Sequence, residues 1–387
     1  MKDFGFLQQK FMVNTYPNRG LVLEKGDGVY LYDESGNKYL DMMSNYGVSI
    51  FGYNNLVINE ALITQLNNLP TLHGSFNNSI RADASQMLVN RCGTNYHQVY
   101  WSNSGAEAIE AALKFAVLTT GKRKFIVCEH GYHGKTLGAL SATDGDKYRS
   151  PFTPLLWEFT RISFNDTDAL EEAVDENTAG FIVEPVQGEG GLTSGSEGYL
   201  THAREICTKK NILLILDEIQ SGTGRTGYFL ASHEENVKAD IVCLGKGLAG
   251  GIPVGATIVS EKVATKITKN IHTSTFGGNP LASAGVVAVL KLLDDKQLNH
   301  IREISDYFFT SLHQIKSPHV MSIRGKGLMI GVEISSGKRN EVLKKLQQEK
   351  ILVIPAGENM VRFLPPYIIE REHADNLIDV LNKIFDK

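Results

Sequence analysis

Two charged side chains lie directly after short apolar runs, where they could take part in chemistry. The segment "ILLILDEIQ" (212–220) places Asp217 at the end of one run, and "ADIVCLGKGLAGG" (239–251) places Lys246 just after another. A buried ionised carboxylate needs a positive partner or several hydrogen-bond donors. Burial lowers the pKa of a lysine and makes its amine nucleophilic. The two segments therefore predict a reactive amine and a carboxylate that binds a cation.

Two turns at other strand ends could bind a flat, phosphorylated group. In "VYWSNSGAEAIEAALKFA" (99–116), Ser104, Gly105 and Ala106 offer backbone N–H groups at a helix N-terminus, which suits a phosphate. An ordinary turn with Ser104 as N-cap fits equally well. In "FIVCEHGYHGKT" (125–136), Tyr132 could stack on a flat ring, although a position in the core or at its rim is the alternative.

A glycine pattern in "ILDEIQSGTGRTG" (215–227) matches the G-x-G-x-x-G fingerprint of dinucleotide binding. That fingerprint requires the glycine turn to follow the strand directly and to open a helix. Here five residues intervene, and Asp217 would face a pyrophosphate of its own sign. The pattern is therefore interpreted as a loop behind the site, and an NAD-dependent oxidoreductase is only a distant alternative.

A phosphate-binding turn, an aromatic face, a buried carboxylate and an activated lysine together are what pyridoxal phosphate requires. A lysine forms a Schiff base with the aldehyde of this cofactor, and a carboxylate keeps its ring nitrogen protonated. The four features thus predict pyridoxal 5'-phosphate as the cofactor.

Short apolar runs alternate with helical patterns over most of the chain. This order predicts an α/β fold with a mostly parallel sheet, helices on both faces and ligands at the carboxyl ends of the strands. The predicted strands are 99–101, 125–128, 181–183, 212–216, 241–244 and 257–259, and the helices between them include 106–118 and 198–210.

After about residue 278 the pattern changes to helices that alternate with strand-like "LMIGVEI" and "MVRFL". One helix face carries apolar residues from 298 to 312, and an amphipathic helix spans 374–385. We expect a large cofactor-binding domain over 51–278 and a smaller α+β domain over 279–387. The segment 1–50, with the hairpin-like "GVYLYDESGNKYLDM", is expected to join the smaller domain.

Composition narrows the classes of partner. The 387-residue chain has a net charge of −4 and no basic run, which argues against nucleic acid. It also has neither a signal-peptide core nor an apolar stretch of about 20 residues, so we expect a cytoplasmic protein with no membrane partner. Cys92, Cys128, Cys207 and Cys243 lack paired spacing and are expected to be reduced and mostly buried. His130 and His133 are interpreted as polar packing, and no metal is expected.

The ordered motifs of the chain resemble those of the class III (ω-amino acid) aminotransferases of the fold type I pyridoxal-phosphate enzymes. Within that family they are most similar to acetylornithine and ornithine aminotransferases. The motifs are "SNSGAEAIEAALKFA", "YHGKTLGALSAT", "IVEPVQGEGG", "LLILDEIQSGTGRTG", "LGKGLAGGIPVGA", "HTSTFGGNPLA", "RGKGLMIG" and "VRFLPP".

The resemblance implies a role for each cofactor-binding residue. Lys246 would bind the aldehyde and move the proton, and Asp217 would pair with the ring nitrogen. Ile219 and Tyr132 would pack on opposite faces of the ring, and Gln220 would reach its hydroxyl. Gly105 and Ala106 would bind the phosphate. Thr275 would bind the phosphate of the other subunit's cofactor, with Ser274 near the substrate, which implies a homodimer with shared active sites.

The resemblance also implies three positions that bind the substrate. Arg362 matches the arginine that binds an α-carboxylate, and Glu189 matches the glutamate that neutralises it when no carboxylate is present. Glu184 would support the cofactor site. Lys135 stands where acetylornithine and ornithine enzymes have an arginine for the second carboxylate, and Arg149 is the next candidate for that role.

The expected function is transfer of an ω-amino group to a keto acid such as 2-oxoglutarate. N-acetylornithine is the first choice of donor, which would place the enzyme in arginine biosynthesis. The phrase "YHGKTLGALSAT…YRSPFTPLL" is more like putrescine-type enzymes, and "GYNNL" (52–56) replaces the family's "GHxHP". A putrescine-like diamine or another ω-amino acid is therefore the second choice, and a catalytically idle relative is a distant alternative.

Overall fold

A computed structural model describes residues 3–385, and within this range the chain forms 17 strands and 14 α-helices. The strands are β1 Leu23–Asp27, β2 Tyr30–Asp33, β3 Lys38–Asp41, β4 Tyr96–Ser102, β5 Lys124–Cys128, β6 Glu158–Ile162, β7 Thr178–Val183, β8 Val186–Gln187, β9 Thr193–Ser194, β10 Leu213–Asp217, β11 Ile241–Leu244, β12 Gly255–Ser260, β13 Val320–Lys326, β14 Met329–Ile334, β15 Ile351–Leu352, β16 Ile354–Ala356 and β17 Met360–Phe363. The helices are α1 Phe4–Phe11, α2 Ser44–Gly47, α3 Leu56–Asn68, α4 Ser79–Cys92, α5 Gly105–Thr120, α6 Leu137–Ala142, α7 Asp146–Arg149, α8 Thr167–Ala173, α9 Tyr199–Lys209, α10 Glu261–Ala264, α11 Pro280–Leu292, α12 Asp295–Leu312, α13 Arg339–Gln348 and α14 Arg371–Phe385.

A seven-stranded sheet with the order β4-β12-β11-β10-β7-β5-β6 forms the centre of the fold. Only β12 runs antiparallel to its neighbours. Alternate residues of β10 belong to different apolar clusters, Leu214 and Leu216 to one and Leu213 and Ile215 to the other. Both faces are therefore covered, as a parallel sheet requires. The predicted mostly parallel α/β sheet is confirmed.

The sequence analysis missed one strand of this sheet, β6. Its sequence "EFTRI" alternates polar and apolar residues and lies at the sheet edge beside β5. An edge strand needs no continuous apolar run, because one of its sides faces solvent. Five of the six predicted runs lie within strands, and the sixth, 212–216, begins one residue before β10; most of these strands extend one to three residues further.

The helices that carry the site begin close to the predicted positions. Helix α5 starts at Gly105 because the Ser104 side chain accepts a hydrogen bond from the backbone N–H of Glu107, 3.2 Å away. It ends at Gly121, whose left-handed backbone closes the last turn. Over residues 3–385 no helix is both long and apolar enough to span a membrane.

Two smaller sheets are built from the terminal parts of the chain. The hairpin β2–β3 pairs with β1 on one side and with β15 on the other. The second sheet has the order β13-β14-β17-β16. The N-terminal hairpin thus shares a sheet with a strand from the C-terminal part, although the domain boundaries at residues 50 and 278 stay predictions.

Neighbouring strands bring the two charged residues of the sequence analysis to one edge of the central sheet. Strands β10 and β11 are parallel, with Asp217 opposite Cys243. Lys246 begins a 3-10 turn, Lys246–Ala249, just beyond the end of β11. That turn packs on α11, where a Cβ on Gly285 would lie 2.5 Å from the carbonyl oxygen of Ala249. Helix α11 therefore fixes the position of the turn that carries the lysine.

The variant Gly285→Val should lower the free energy of unfolding by about 1–3 kcal/mol, because overpacking displaces the Lys246 turn or the helix. The midpoint of thermal unfolding at a fixed scan rate measures the effect. Gly74→Val is the matched control, since a Cβ at Gly74 has no heavy atom within 4 Å. Equal midpoints for the two variants would show that α11 does not restrain the turn.

Candidate active site

Asp217 is buried at the end of β10 and pairs with a histidine that the sequence analysis had interpreted as packing. Its Oδ2 lies 2.7 Å from Nδ1 of His133, and its Oδ1 accepts a hydrogen bond from the N–H of Ile219. Burial lowers the pKa of His133, but the hydrogen bond to Asp217 and the charge of Asp217 outweigh it and the net pKa is raised. The only sequence signal for this pair was a polar residue on the glycine-rich loop that follows β5, two strands away from β10 in the sheet.

Lys246 lies in an unusual backbone conformation, with a φ of 47°. A left-handed lysine costs about 1–3 kcal/mol and persists only where the surroundings fix it. Burial lowers the pKa of its amine, against the raising effect of Glu189, Asp217 and Glu184. The predicted deprotonated, nucleophilic amine is consistent with this direction.

The N-terminus of α5 approaches the two strand ends closely. A Cβ on Gly105 would lie 2.8 Å from Cγ2 of Ile219, so a residue larger than glycine would require displacement here. Within residues 3–385 no acceptor binds the N–H groups of Gly105 and Ala106. These free donors at a helix N-terminus form an anion site, and Ser104 acts as the N-cap beside them.

Tyr132 and Glu184 are held together at the opposite side of the site. The N–H of Tyr132 donates to Oε1 of Glu184 at 2.8 Å, and that of Gly188 donates to Oε2 at 3.2 Å. Burial, with the charges of Glu189 and other neighbours, raises the pKa of Tyr132 to about 12. Burial also raises the pKa of Glu184 to about 7, despite the lowering effect of His133. Glu184 thus joins two loops of the site, which agrees with the support role expected for it.

Arg362 of β17 is completely buried and is closed off by Glu189. Its Nη2 lies 2.7 Å from Oε1 of Glu189, and its Nη1 donates to the carbonyl of Gly188 at 2.8 Å and to Oε1 of Gln220 at 3.3 Å. Gln220 was expected at the ring hydroxyl of the cofactor, and here its oxygen contacts the guanidinium. A substrate carboxylate would have to displace Glu189 to reach Arg362.

Tyr46 is a further residue at this site, and no motif pointed to it. Residues Ser44, Asn45 and Tyr46 have φ values of 43°, 50° and 60°, a left-handed turn at the start of α2. The turn places the ring of Tyr46 6.0 Å from the guanidinium carbon of Arg362, at the limit of a cation–π contact. Strained turns of this kind cluster at binding sites.

A cavity of about 840 Å³ opens in front of Tyr132 and Glu189. Lys135 is exposed beside this cavity, with its Nζ 5.3 Å from the ring centroid of Tyr148. Arg149 is half-buried, and its Nε has no hydrogen-bond partner within residues 3–385. Ser274 is hydrogen-bonded to Asn103 at 3.3 Å beside the N-terminus of α5, whereas Thr275 is exposed. The structure thus brings most predicted residues to one site and leaves Lys135 and Thr275 at its surface.

The variant His133→Phe should destabilise the cofactor-free protein by about 3–5 kcal/mol, since it removes the side-chain partner of a buried carboxylate. The folded-state pKa of His133 is raised above its ordinary value of about 6.5. Its stabilisation is therefore complete below about pH 6.5 and is lost as the pH rises through the folded-state pKa. Thermal midpoints of wild type and variant should converge as the pH is raised. The exposed His202→Phe control should show no such convergence.

Comparisons with known proteins agree with this geometry. The aminotransferase class-III family model matches residues 11–385. The acetylornithine aminotransferase of Aquifex aeolicus is 41% identical over 97% of this chain and 99% of its own, and that of Methanopyrus kandleri is 39% identical over 97% of each. The ornithine aminotransferase of Toxoplasma gondii superimposes with a TM-score of 0.95 at 34% identity, covering 99% of this chain and 93% of its own.

The NAD alternative is excluded by the same findings, and the loop after β10 is built of turns with no helix up to residue 228. All four cysteines are buried and free, and no group of metal-binding side chains occurs in the part of the chain that the structure describes. The chain belongs to the class III aminotransferases and is a pyridoxal-phosphate-dependent ω-aminotransferase that acts on a small-molecule amino donor and a keto acid.

Proposed function

We propose that this enzyme transfers the ω-amino group of N-acetylornithine to 2-oxoglutarate, giving N-acetylglutamate semialdehyde and glutamate. The buried Arg362, neutralised by Glu189 inside the cavity, is the observation that carries the proposal. A guanidinium with an internal counter-charge can serve an ω-amine, which brings no carboxylate there, and an α-keto acid, which does. The names of the similar acetylornithine aminotransferases support the same donor. A putrescine-like diamine or another ω-amino acid is the second candidate.

The side chains present fit pyridoxal phosphate. The free N–H groups of Gly105 and Ala106 would hold its phosphate, and Asp217 would face its ring nitrogen. Tyr132 and Ile219 would lie against its two ring faces, and Lys246 would reach its aldehyde. When bound, the cofactor supplies a carbonyl that takes up the amino group and a ring that withdraws electrons from the substrate carbon.

Lys246 performs the proton transfer in this proposal. Burial lowers the pKa of its Nζ amine and so favours the unprotonated form, which would accept a proton from the substrate carbon that bears the amino group. The left-handed backbone and the packing of its turn on α11 hold that amine in one place. Positioning of this kind accounts for a large part of enzymatic rate enhancement.

Asp217 and His133 act as one unit. The hydrogen bond from His133 to Oδ2 fixes the orientation of the carboxylate. Its other oxygen, Oδ1, accepts a hydrogen bond from the N–H of Ile219. Because both side chains are buried, the negative charge of Asp217 would act on a bound ring nitrogen with little screening by solvent. Glu184 orients the loop of Tyr132 and has no role in proton transfer here.

Glu189 and Arg362 select between the two half-reactions. With an ω-amino donor the ion pair stays closed, and the positive charge of Arg362 is neutralised. With glutamate or 2-oxoglutarate the α-carboxylate replaces Glu189 and can bind the guanidinium with two parallel hydrogen bonds. Lys135, near the outer end of the cavity, would meet the second carboxylate of the keto acid and the α-carboxylate of acetylornithine.

We also propose a homodimer whose active sites are shared between subunits. Thr275 and Phe276 are exposed on the single chain directly after Ser274, which is linked to the N-terminal turn of α5. An exposed apolar residue beside an anion site favours coverage by a second copy. A cytoplasmic location is favoured by the free cysteines. A role in arginine biosynthesis follows from the proposed donor.

The donor is tested by mixing holoenzyme with N-acetylornithine, ornithine, putrescine and other ω-amines and following the absorbance of the bound cofactor. N-acetylornithine should react with the lowest half-saturation concentration, and Lys246→Ala should react with none. Lys135→Ala should raise this concentration for N-acetylornithine about threefold to tenfold, as expected for an exposed ion pair. It should leave putrescine, which lacks a carboxylate, nearly unchanged. A preference for putrescine in the wild type would refute the donor.

The shared site is tested by mixing Thr275→Ala with Lys246→Ala subunits after reversible dissociation. Each variant alone should be nearly inactive, because every site would lack either the amine or the phosphate contact from the partner. A heterodimer should regain one intact site of its two, since both lesions fall in the other site. Mixed samples without recovered turnover, or a fully active monomer at low concentration, would argue against shared sites.

A further inference from the structure

Two lysines share one tyrosine ring at the cavity: Lys147 lines the cavity and Lys135 lies beside it. Nζ of Lys135 lies 5.3 Å from the ring centroid of Tyr148, and Nζ of Lys147 lies 4.7 Å from it. The two ammonium groups are therefore no further apart than the sum of these distances. Both lysines are exposed, and within residues 3–385 neither ammonium forms an ion pair with a carboxylate.

The lysines lie one aromatic ring away from the reaction site. Tyr148 contacts Tyr132 edge to face, with their centroids 6.2 Å apart. Tyr132, Lys147 and Tyr148 line the same cavity as Glu189, the counter-charge of Arg362. The positive charge of Lys147 is thus at the wall of the cavity that a bound substrate would occupy.

The ring of Tyr148 determines what the lysines can bind. Its electron-rich face attracts an ammonium group that lies within about 6 Å of the ring centroid. This contact leaves the N–H groups of each ammonium available to donate hydrogen bonds to a ligand. An anion bound beside the ring is attracted by both ammonium groups, and the two attractions add. Among the nearby acids, Asp144 is already paired with Arg161 at 3.2 Å, which leaves Asp146 on this wall and Glu358 elsewhere on the cavity lining as exposed carboxylates. The wall keeps an excess of positive charge.

We propose that Lys147, together with Lys135 and Tyr148, forms the subsite for the distal carboxylate of the substrates. The ligands are the γ-carboxylate of a keto acid such as 2-oxoglutarate and the α-carboxylate of an ω-amino acid donor, so the inference rests on the proposed function. A lysine is a point charge and cannot form the planar two-pronged contact of an arginine. Two lysines on one ring supply two point charges, and either one alone retains part of the attraction.

The test measures binding of glutarate, an unreactive dicarboxylate, and of butyrate to the holoenzyme by titration calorimetry. Lys135→Ala and Lys147→Ala should each weaken the selectivity for glutarate over butyrate about threefold, and the double variant about fiftyfold, because each lysine partly replaces the other. Lys147→Arg should restore selectivity. Tyr148→Phe should keep it, whereas Tyr148→Leu, which removes the shared ring face, should weaken it. The exposed lysine of α12 gives the control Lys296→Ala, which should not change it.

Turnover gives a second readout in the same variants, the ratio of kcat/KM for 2-oxoglutarate to that for 2-oxobutyrate, which should fall in parallel. If the wild type binds glutarate but Lys147→Ala behaves like Lys296→Ala, and the double variant like Lys135→Ala, the lysine-pair subsite is wrong and the proposed function stands. If wild type neither prefers glutarate nor uses 2-oxoglutarate, both proposals are wrong.

Discussion

The buried pair of Asp217 and His133 is the interaction on which the site depends. A carboxylate at the end of a strand that is buried on both faces is tolerated only with a donor beside it, and His133 supplies that donor at 2.7 Å. The histidine comes from the loop after β5, two strands away from β10 in the sheet order β10-β7-β5. The pair therefore fixes the glycine-rich loop, and with it Tyr132, over the end of β10, the neighbour of the strand that leads to Lys246.

Other buried charges of the site are satisfied in the same way, each by groups from a different element. Glu184 receives two backbone N–H groups, and Glu218, completely buried behind the site, receives the N–H groups of Ala231 and Ser232 and the hydroxyl of Ser221. Arg362 is the exception, because Glu189, one of its partners, is partly exposed to the cavity. The contact that a substrate must open is thus the one that solvent can reach.

Close packing without charge positions the remaining groups. The contact of Gly105 with Ile219 sets how near the anion site of α5 comes to the end of β10. The contact of Gly285 with Ala249 sets the turn of Lys246. In both places a methyl group would displace a neighbour, so the backbone itself acts as the wall of the site. The strained backbone at Lys246 persists because its turn is packed against α11.

The sequence by itself determined the mostly parallel sheet, its cofactor and the strand ends that carry Asp217 and Lys246, because apolar runs bounded by glycine or charge are local signals that sequence order preserves. Edge strand β6 lacked such a run, and the division into domains remains a prediction. Only the tertiary structure decided the partners: His133 for Asp217, Gln220 for Arg362, Tyr46 beside that arginine, and Lys147 beside Lys135. These pairs join residues from 12 to more than 300 positions apart or depend on the direction of a side chain, and neither property is encoded in local spacing.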